Sequence, residues 1–153
     1  MASAISGELN KRCFKIFREV GNPEMADTYQ TFPIGNIKKR DKSVTLEIRP
    51  EYEDGLLGLD QYSHILVFSW FHKSDSLRKR RTLQVHLRGN TANPLTGVFA
   101  TRSPVRPNPI SLCTCKLLSI DGNIIHIEKI DASDGTPLID IKPYVPRLDS
   151  ISE

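Results

Sequence analysis

ISLCTCKLLSIDGNIIHIEKI, residues 110–130, decides the architecture. Apolar and polar residues alternate on both sides of Asp121-Gly122, a dipeptide whose chemistry suits a tight hairpin. The stretch therefore predicts two antiparallel strands, ISLCTCKLLSI (110–120) and NIIHIEKI (123–130). Cys113 and Cys115 stand two apart on the first, so both point to one face, expected to be the inner one.

More strands follow outward from this hairpin. YSHILVFSWF (62–71) is a nearly continuous apolar run and reads as a central strand buried on both faces. In SVTLEIR (43–49), Val44, Leu46 and Ile48 alternate with polar residues, as in a half-buried strand. TLQVHL (82–87) and GVFAT (97–101) add two more. One segment has helical spacing: GELNKRCFKIFREV (7–20) places Leu9, Cys13, Ile16, Phe17 and Val20 on one face, and Gly21, Asn22 and Pro23 then stop it. Short strands, short turns and one leading helix predict a mainly β fold, a small single-domain β-barrel with an N-terminal helix. Residues 1–30 form the helical extension and 31–148 the barrel. The first few residues and the charged loop KSDSLRKRR (73–81) are expected to be the least ordered.

Composition agrees with one folded domain. The chain has 153 residues, 39% apolar and 25% charged, long enough to bury a core. Its 21 Lys and Arg against 18 Asp and Glu leave +3, which permits a nucleic-acid partner without demanding one. Three cysteines, Cys13, Cys113 and Cys115, form no C-x-x-C pair. A zinc site needs about four ligands, so no metal is expected, and the cysteines fit a reducing compartment. No segment is long enough to span a bilayer and the N-terminus lacks a signal-length apolar run, so a cytoplasmic location is expected. No two glycines have G-x-G spacing, and H-E-x-x-H and G-x-S-x-G are missing. Dinucleotide-binding, P-loop, zinc-protease and serine-hydrolase classes drop out together.

Three clusters carry candidate chemistry. GVFATRSPVRPNPI (97–110) sets Arg102 and Arg106 among Pro104, Pro107 and Pro109. Proline fixes its own φ and restricts the residue before it, so these arginines have little conformational entropy to lose. The residue types leave two possibilities open: a stiff surface connection with solvated arginines, or a pre-set cationic clamp for carboxylate or phosphate. DASDGTPLIDIKPY (131–144) gathers Asp131, Asp134 and Asp140 around a Gly-Thr-Pro turn. These carboxylates could accept from hydroxyls or an amine, or serve only as turn chemistry. Finally His72-Lys73 ends the central strand and leads to Arg78, Lys79, Arg80 and Arg81, either a solvated loop or a phosphate-binding arm.

GVFATRSPVRPNPI, YSHILVFSWFHK and DGTPLIDIKPYVP together resemble the motifs of the TrmO family, with ATRSP, RPNPI, DGTP and DIKPY in that order. The resemblance covers Phe32 to Pro146. It implies a small β-barrel that forms homodimers and transfers a methyl group from S-adenosylmethionine, without a metal. The acceptor it implies is N6 of a threonylcarbamoyl-adenosine beside the anticodon of tRNA. Carried over by motif, the cofactor pocket would comprise His72, Lys73, Arg102, Leu112, Asp131, Ala132, Ser133 and Asp134. Asp134, Asp140 and Tyr144 would be the candidates for a base or orienting group. Arg78, Lys79, Arg80, Arg81, Arg106 and Lys142 would face the anticodon stem-loop. The chain departs from the pattern in two places. A longer segment with a Pro-Arg-Gln motif, usual after the first strand, is replaced by the short charged turn of PIGNIKKRDKSVTLEI (33–48), and Ser111 stands where Gly is usual. These departures keep two alternatives in play: a methyltransferase acting on a small-molecule acceptor, and a non-catalytic RNA-binding barrel.

Overall fold

The structure is a computed structural model that describes residues 29–41 and 43–151. The predicted N-terminal helix, Cys13 and nearly all of the 1–30 extension lie outside the described residues. Eight strands follow in order: β1 (Gly35–Arg40), β2 (Ser43–Ile48), β3 (His64–Trp70), β4 (Gln84–His86), β5 (Leu95–Gly97), β6 (Ile110–Asp121), β7 (Ile124–Ile127) and β8 (Pro137–Pro143). Six of them close a barrel in the order β1-β2-β7-β6-β3-β8, and β4 and β5 pair separately. The mainly β barrel expected from the sequence is therefore what forms.

All barrel pairs are antiparallel. The hairpin read from the sequence pairs Asp121 with Ile124, with Gly122 at φ 56° in the turn. That left-handed conformation is the one glycine adopts without cost. β6 serves two neighbours along its length, Ile110–Lys116 against β3 and Leu117–Asp121 against β7. Such stagger is what lets six strands close. The inward residues form one aliphatic core: Ile37, Leu46, Ile48, Ile65, Val67, Cys115, Ile125, Ile127, Ile130 and Leu138. Cys115 is buried and Cys113 half-buried on the inner side of β6, as expected. Burial, with Cys113 adding to it, pushes the Cys115 thiol up to about 12.

Four expectations change. β3 alternates instead of being buried on both faces: Ile65, Val67 and Ser69 point in, whereas His64, Leu66, Phe68 and Trp70 form a half-buried outer row. GVFAT is a strand only to Gly97. Val98–Ala100 then coils into a 3-10 turn, because the Thr101 N–H and hydroxyl both donate to the Val98 carbonyl. The charged stretch 73–81 contains a short helix, α1 (Leu77–Arg81), whose start is capped by the Ser76 hydroxyl accepting from the Lys79 N–H. Two barrel strands, β1 and β8, were not anticipated at all.

The segment between β2 and β3 forms two 3-10 turns, Pro50–Leu56 and Leu59–Gln61, and packs Leu56 and Leu59 against the core. No helix among the described residues is long and apolar enough to cross a membrane.

Barrel closure makes Gly35 irreplaceable. It pairs with Ile48 of β2 and Leu138 of β8, and a Cβ there would overlap the Glu47 carbonyl oxygen and sit 3.0 Å from the Ile48 Cα. Backbone cannot yield as a flexible side chain can. Gly35→Ala should therefore cost about 2–3 kcal/mol, measured by urea unfolding; a loss below about 0.5 kcal/mol would show that the seam relaxes.

Candidate functional site

The end of β3 opens the site. The Phe71 N–H donates to the Pro109 carbonyl at 2.8 Å, joining the strand end to the proline loop. His72–Ser74 then form a 3-10 turn that leaves His72 and Lys73 exposed. Behind them the Trp70 indole N–H donates to Asp75 Oδ2 at 2.9 Å. Arg80 donates to the same carboxylate through Nε at 2.5 Å and Nη2 at 2.8 Å, and its guanidinium lies 5.4 Å from the Trp70 ring centroid. Arg80 is thus committed within the protein, unlike the exposed Arg78 and Arg81. Lys79 donates to the Ser74 hydroxyl at 3.4 Å.

The proline loop is stiffened by side chains as well as by proline. The Ser103 N–H donates to Thr101 Oγ1 and the Val105 N–H to Ser103 Oγ, both at 3.1 Å. Arg106 Nη1 donates to the carbonyls of Thr101, 3.3 Å, and Ser103, 3.1 Å. Pro109 is fully buried. The two arginines that the sequence treats alike have different surroundings. Arg106 staples the loop from inside, while Arg102 is exposed and donates one bond, Nη1 to the Leu112 carbonyl at 3.2 Å. Arg102 and Leu112 are therefore adjacent, and Leu112 is 39% exposed on the outer face of β6.

Asp131–Asp134 lie on the β7–β8 connection. Asp134 Oδ1 accepts from the Lys39 backbone N–H at 2.8 Å, Lys39 Nζ reaches the Ile130 carbonyl at 2.8 Å, and the Gly135 N–H donates to the Ile37 carbonyl. The Lys39 N–H, against an opposing effect of burial and helped by the nearby Lys38, the Gly135 N–H and Arg40, holds the Asp134 carboxyl below its usual 3.8. These contacts tie Asp131–Asp134 to β1; Asp131, Ser133 and Asp134 are exposed and Ala132 packs against the core. Asp140, on β8, pairs with Lys142 at 2.9 Å and accepts from the Ile141 N–H. Lys142 Nζ lies 6.0 Å from the Phe68 ring centroid. Asp140 also lines an open cleft of about 710 Å³ shared with Tyr52, Tyr62 and Leu56. Tyr144 meets His64 edge-to-face at 6.3 Å.

Phe68 is the centre of this face. It pairs with Leu112 on one side and Asp140 on the other. The residues that sequence reasoning passed over are Trp70 and Asp75 at the turn, Thr101 and Ser103 in the proline loop, and Lys39 on β1. Only the Ser76 cap carried any local signal. Among the described residues no three His, Cys, Asp or Glu converge as a metal site.

Residues 25–150 match the family model described as the tRNA-methyltransferase O N-terminal domain. The chain is 50% identical over 127 residues to "Probable S-adenosyl-L-methionine-binding protein PH1056" of Pyrococcus horikoshii, covering 83% of this chain and 90% of that protein. It is 45% identical over 98 residues to a human protein named tRNA (adenine(37)-N6)-methyltransferase, covering 64% of this chain but 22% of the human one. The crystal structure of TrmO from Pseudomonas aeruginosa superposes with a TM-score of 0.64 at 30% identity, over 83% of this chain. This chain spans 60% of that one.

Two predictions separate scaffold from site. Arg106→Ala should lower stability by about 1–2 kcal/mol, since two carbonyls lose a charged donor, whereas Arg102→Ala should change it by less than about 0.5 kcal/mol; equal losses in urea titrations would refute the division. Asp134 has a depressed folded pKa, so its contribution is present above 3.8 and fades as pH falls through the lower folded value. The stability gap between wild type and Asp134→Ala should accordingly narrow in acid, and a gap that widens below that pH would contradict the Lys39 contact.

Proposed function

The chain belongs to the TrmO family, and on that premise we propose that it is an S-adenosylmethionine-dependent methyltransferase that acts on tRNA. The observation that carries this is the exposed Arg102 guanidinium, held against the Leu112 carbonyl on a proline-rich loop whose Pro109 carbonyl accepts from the Phe71 N–H beside the His72–Lys73 turn. The donor set fits the cofactor. Arg102 spends one N–H on the Leu112 carbonyl, which leaves its planar fork for a carboxylate. Leu112 offers an apolar wall, and Asp131 an exposed acceptor for ribose hydroxyls. When bound, the cofactor supplies a methyl group on a positively charged sulfur.

The chain's residues then have to orient donor and acceptor, because methyl transfer depends chiefly on alignment. His72 and Lys73 border the pocket at the strand end. Asp134 is a poor base, being held ionised by backbone N–H groups. Asp140, paired with Lys142, is placed to orient the acceptor nitrogen, since it lies in the open cleft across Phe68 from Leu112. Tyr144 stands farther along the same strand end, against His64.

The acceptor in this proposal is N6 of a threonylcarbamoyl-adenosine beside the anticodon. RNA phosphates are met by Arg78 and Arg81 on α1 with Lys79, and by Lys142 on β8. A homodimer completes the assembly. The exposed Phe99 and Ile110 give a second copy an apolar surface to cover, and a cytoplasmic setting fits the substrate. One observation favours a different acceptor: Arg40 pairs directly with Ser43, so β1 turns straight into β2 and no longer segment with a Pro-Arg-Gln motif is present.

Incubation of the full chain with labelled S-adenosylmethionine and bulk tRNA, followed by nucleoside digestion, should place label in a modified adenosine. Arg102→Ala should weaken cofactor binding about 10- to 100-fold. Arg78→Ala with Arg81→Ala should flatten the slope of log tRNA affinity against log salt by about 1.4–1.8, with cofactor affinity unchanged. Cofactor binding without label transfer to any tRNA would favour the small-molecule acceptor, and no cofactor binding would leave an RNA-binding barrel.

A further inference from the structure

The turn bearing His72 and Lys73 is closed by a side chain that belongs to neither the pocket nor the helix surface. Between Trp70 and Asp75 the backbone supplies one good hydrogen bond, the Ser74 N–H to the Phe71 carbonyl at 2.8 Å, and one long one, the Asp75 N–H to the His72 carbonyl at 3.5 Å. The exit of the turn is instead fixed by the Trp70 indole N–H on Asp75 Oδ2. That carboxylate also holds both arms of Arg80, whose guanidinium packs over the Trp70 ring. Ring, carboxylate and guanidinium each touch the other two. Arg80 and Asp75 have side-chain exposures of 18% and 23%, in a stretch where His72, Lys73, Arg78 and Arg81 are exposed.

We propose that Asp75 is a positioning residue for the cofactor: its carboxylate holds the His72–Lys73 turn in register with Arg102 and ties α1 to the same support. This rests on the assignment of His72 and Lys73 to the cofactor pocket. Asp75 itself does not touch the cofactor. Its two partners leave its oxygens engaged, and the Arg80 hydrogen bonds, ahead of the Trp70 bond and against the cost of burial, keep its carboxyl below the usual 3.8. It is therefore ionised throughout the neutral range, as a fixed brace needs to be. An ion pair of this kind on an open surface would contribute little. Here it closes a short loop that has few other constraints.

The test uses the full chain and the methyl-transfer assay. Trp70→Phe removes the one N–H that closes the turn and keeps the ring under Arg80; Asp75→Asn keeps an acceptor oxygen and removes the charge. Each should raise KM and Kd for S-adenosylmethionine about tenfold, with kcat at saturating cofactor within about twofold. A purely structural role predicts a lower Tm with KM unchanged in the folded protein, and that result overturns the proposal. If Asp75→Asn does not fold, Trp70→Phe decides alone. His72→Ala and Lys73→Ala separate the two levels of the argument. If they weaken cofactor binding while Trp70→Phe and Asp75→Asn do not, positioning by Asp75 is wrong and the pocket stands. If they leave binding unchanged, the pocket assignment is wrong and the positioning proposal goes with it.

Discussion

The barrel closes through two residue pairs, Gly35 with Leu138 and Asn36 with Pro137, and the rest of the structure depends on that short seam. β1 and β8 meet for so few residues that the seam needs reinforcement beyond its ladder. It comes from the connection before β8. The Ile37 N–H donates to the Thr136 carbonyl, Gly135 donates back to the Ile37 carbonyl, and Asp134 caps the Lys39 N–H. Gly135, at φ 75°, makes the sharp turn that brings these groups to the edge of β1. The DGT motif is therefore first a closure device. Asp131 and Ser133 are held exposed as a result of it.

The proline loop applies the same economy on the opposite side of β3. Fixed φ angles narrow the backbone, but proline also removes N–H donors, so the remaining carbonyls need partners from elsewhere. Arg106 supplies them from within, and the Thr101 and Ser103 hydroxyls receive the N–H groups that proline leaves over. Arg102 is then presented by a frame with little freedom left. The loop's two arginines divide into one that builds the loop and one that the loop presents.

The sequence made β2, β6 and β7 legible because each alternates or is bounded by clear turn chemistry, and β3 by an apolar run that concealed its alternation. β1 was hidden by composition. GNIKKR carries three consecutive cations and needs only Gly35 and Ile37 to point inward. β8 was hidden by its ends, since PLIDIKP begins and ends in proline, which usually argues against a strand. Here both prolines sit at strand termini, where a missing N–H does no harm, and Leu138 supplies the buried contact. The site was legible as motifs and illegible as geometry. That Arg102 meets Leu112 follows from a register no local pattern reveals, and four neighbouring cations gave no sign that Arg80 would turn back onto Asp75 and Trp70. Long-range pairing decides such questions, and a single sequence records it only faintly.

β3 is the element that relates the two halves of the proposed reaction. Its outer residue Phe68 has Leu112 on one neighbour and Asp140 on the other, so ordinary strand spacing sets those two positions about 10 Å apart. On the proposed assignment, Arg102 and Leu112 meet the cofactor on the β6 side, Asp131 meets it from the connection before β8, and the acceptor's orienting group Asp140 lies on β8 itself. The gap is then bridged by bound molecules, since a sheet does not change its strand spacing during turnover. Alignment has to be supplied by what borders the sheet: the stapled proline loop on one edge and the braced turn after Trp70 at the strand end. Because Phe71 bonds to Pro109, these two supports are themselves joined, and a shift in either displaces Arg102 relative to His72. A weakly nucleophilic acceptor nitrogen gains most from such a frame, since rigid placement of the donor lowers the entropy that the reacting pair must otherwise lose.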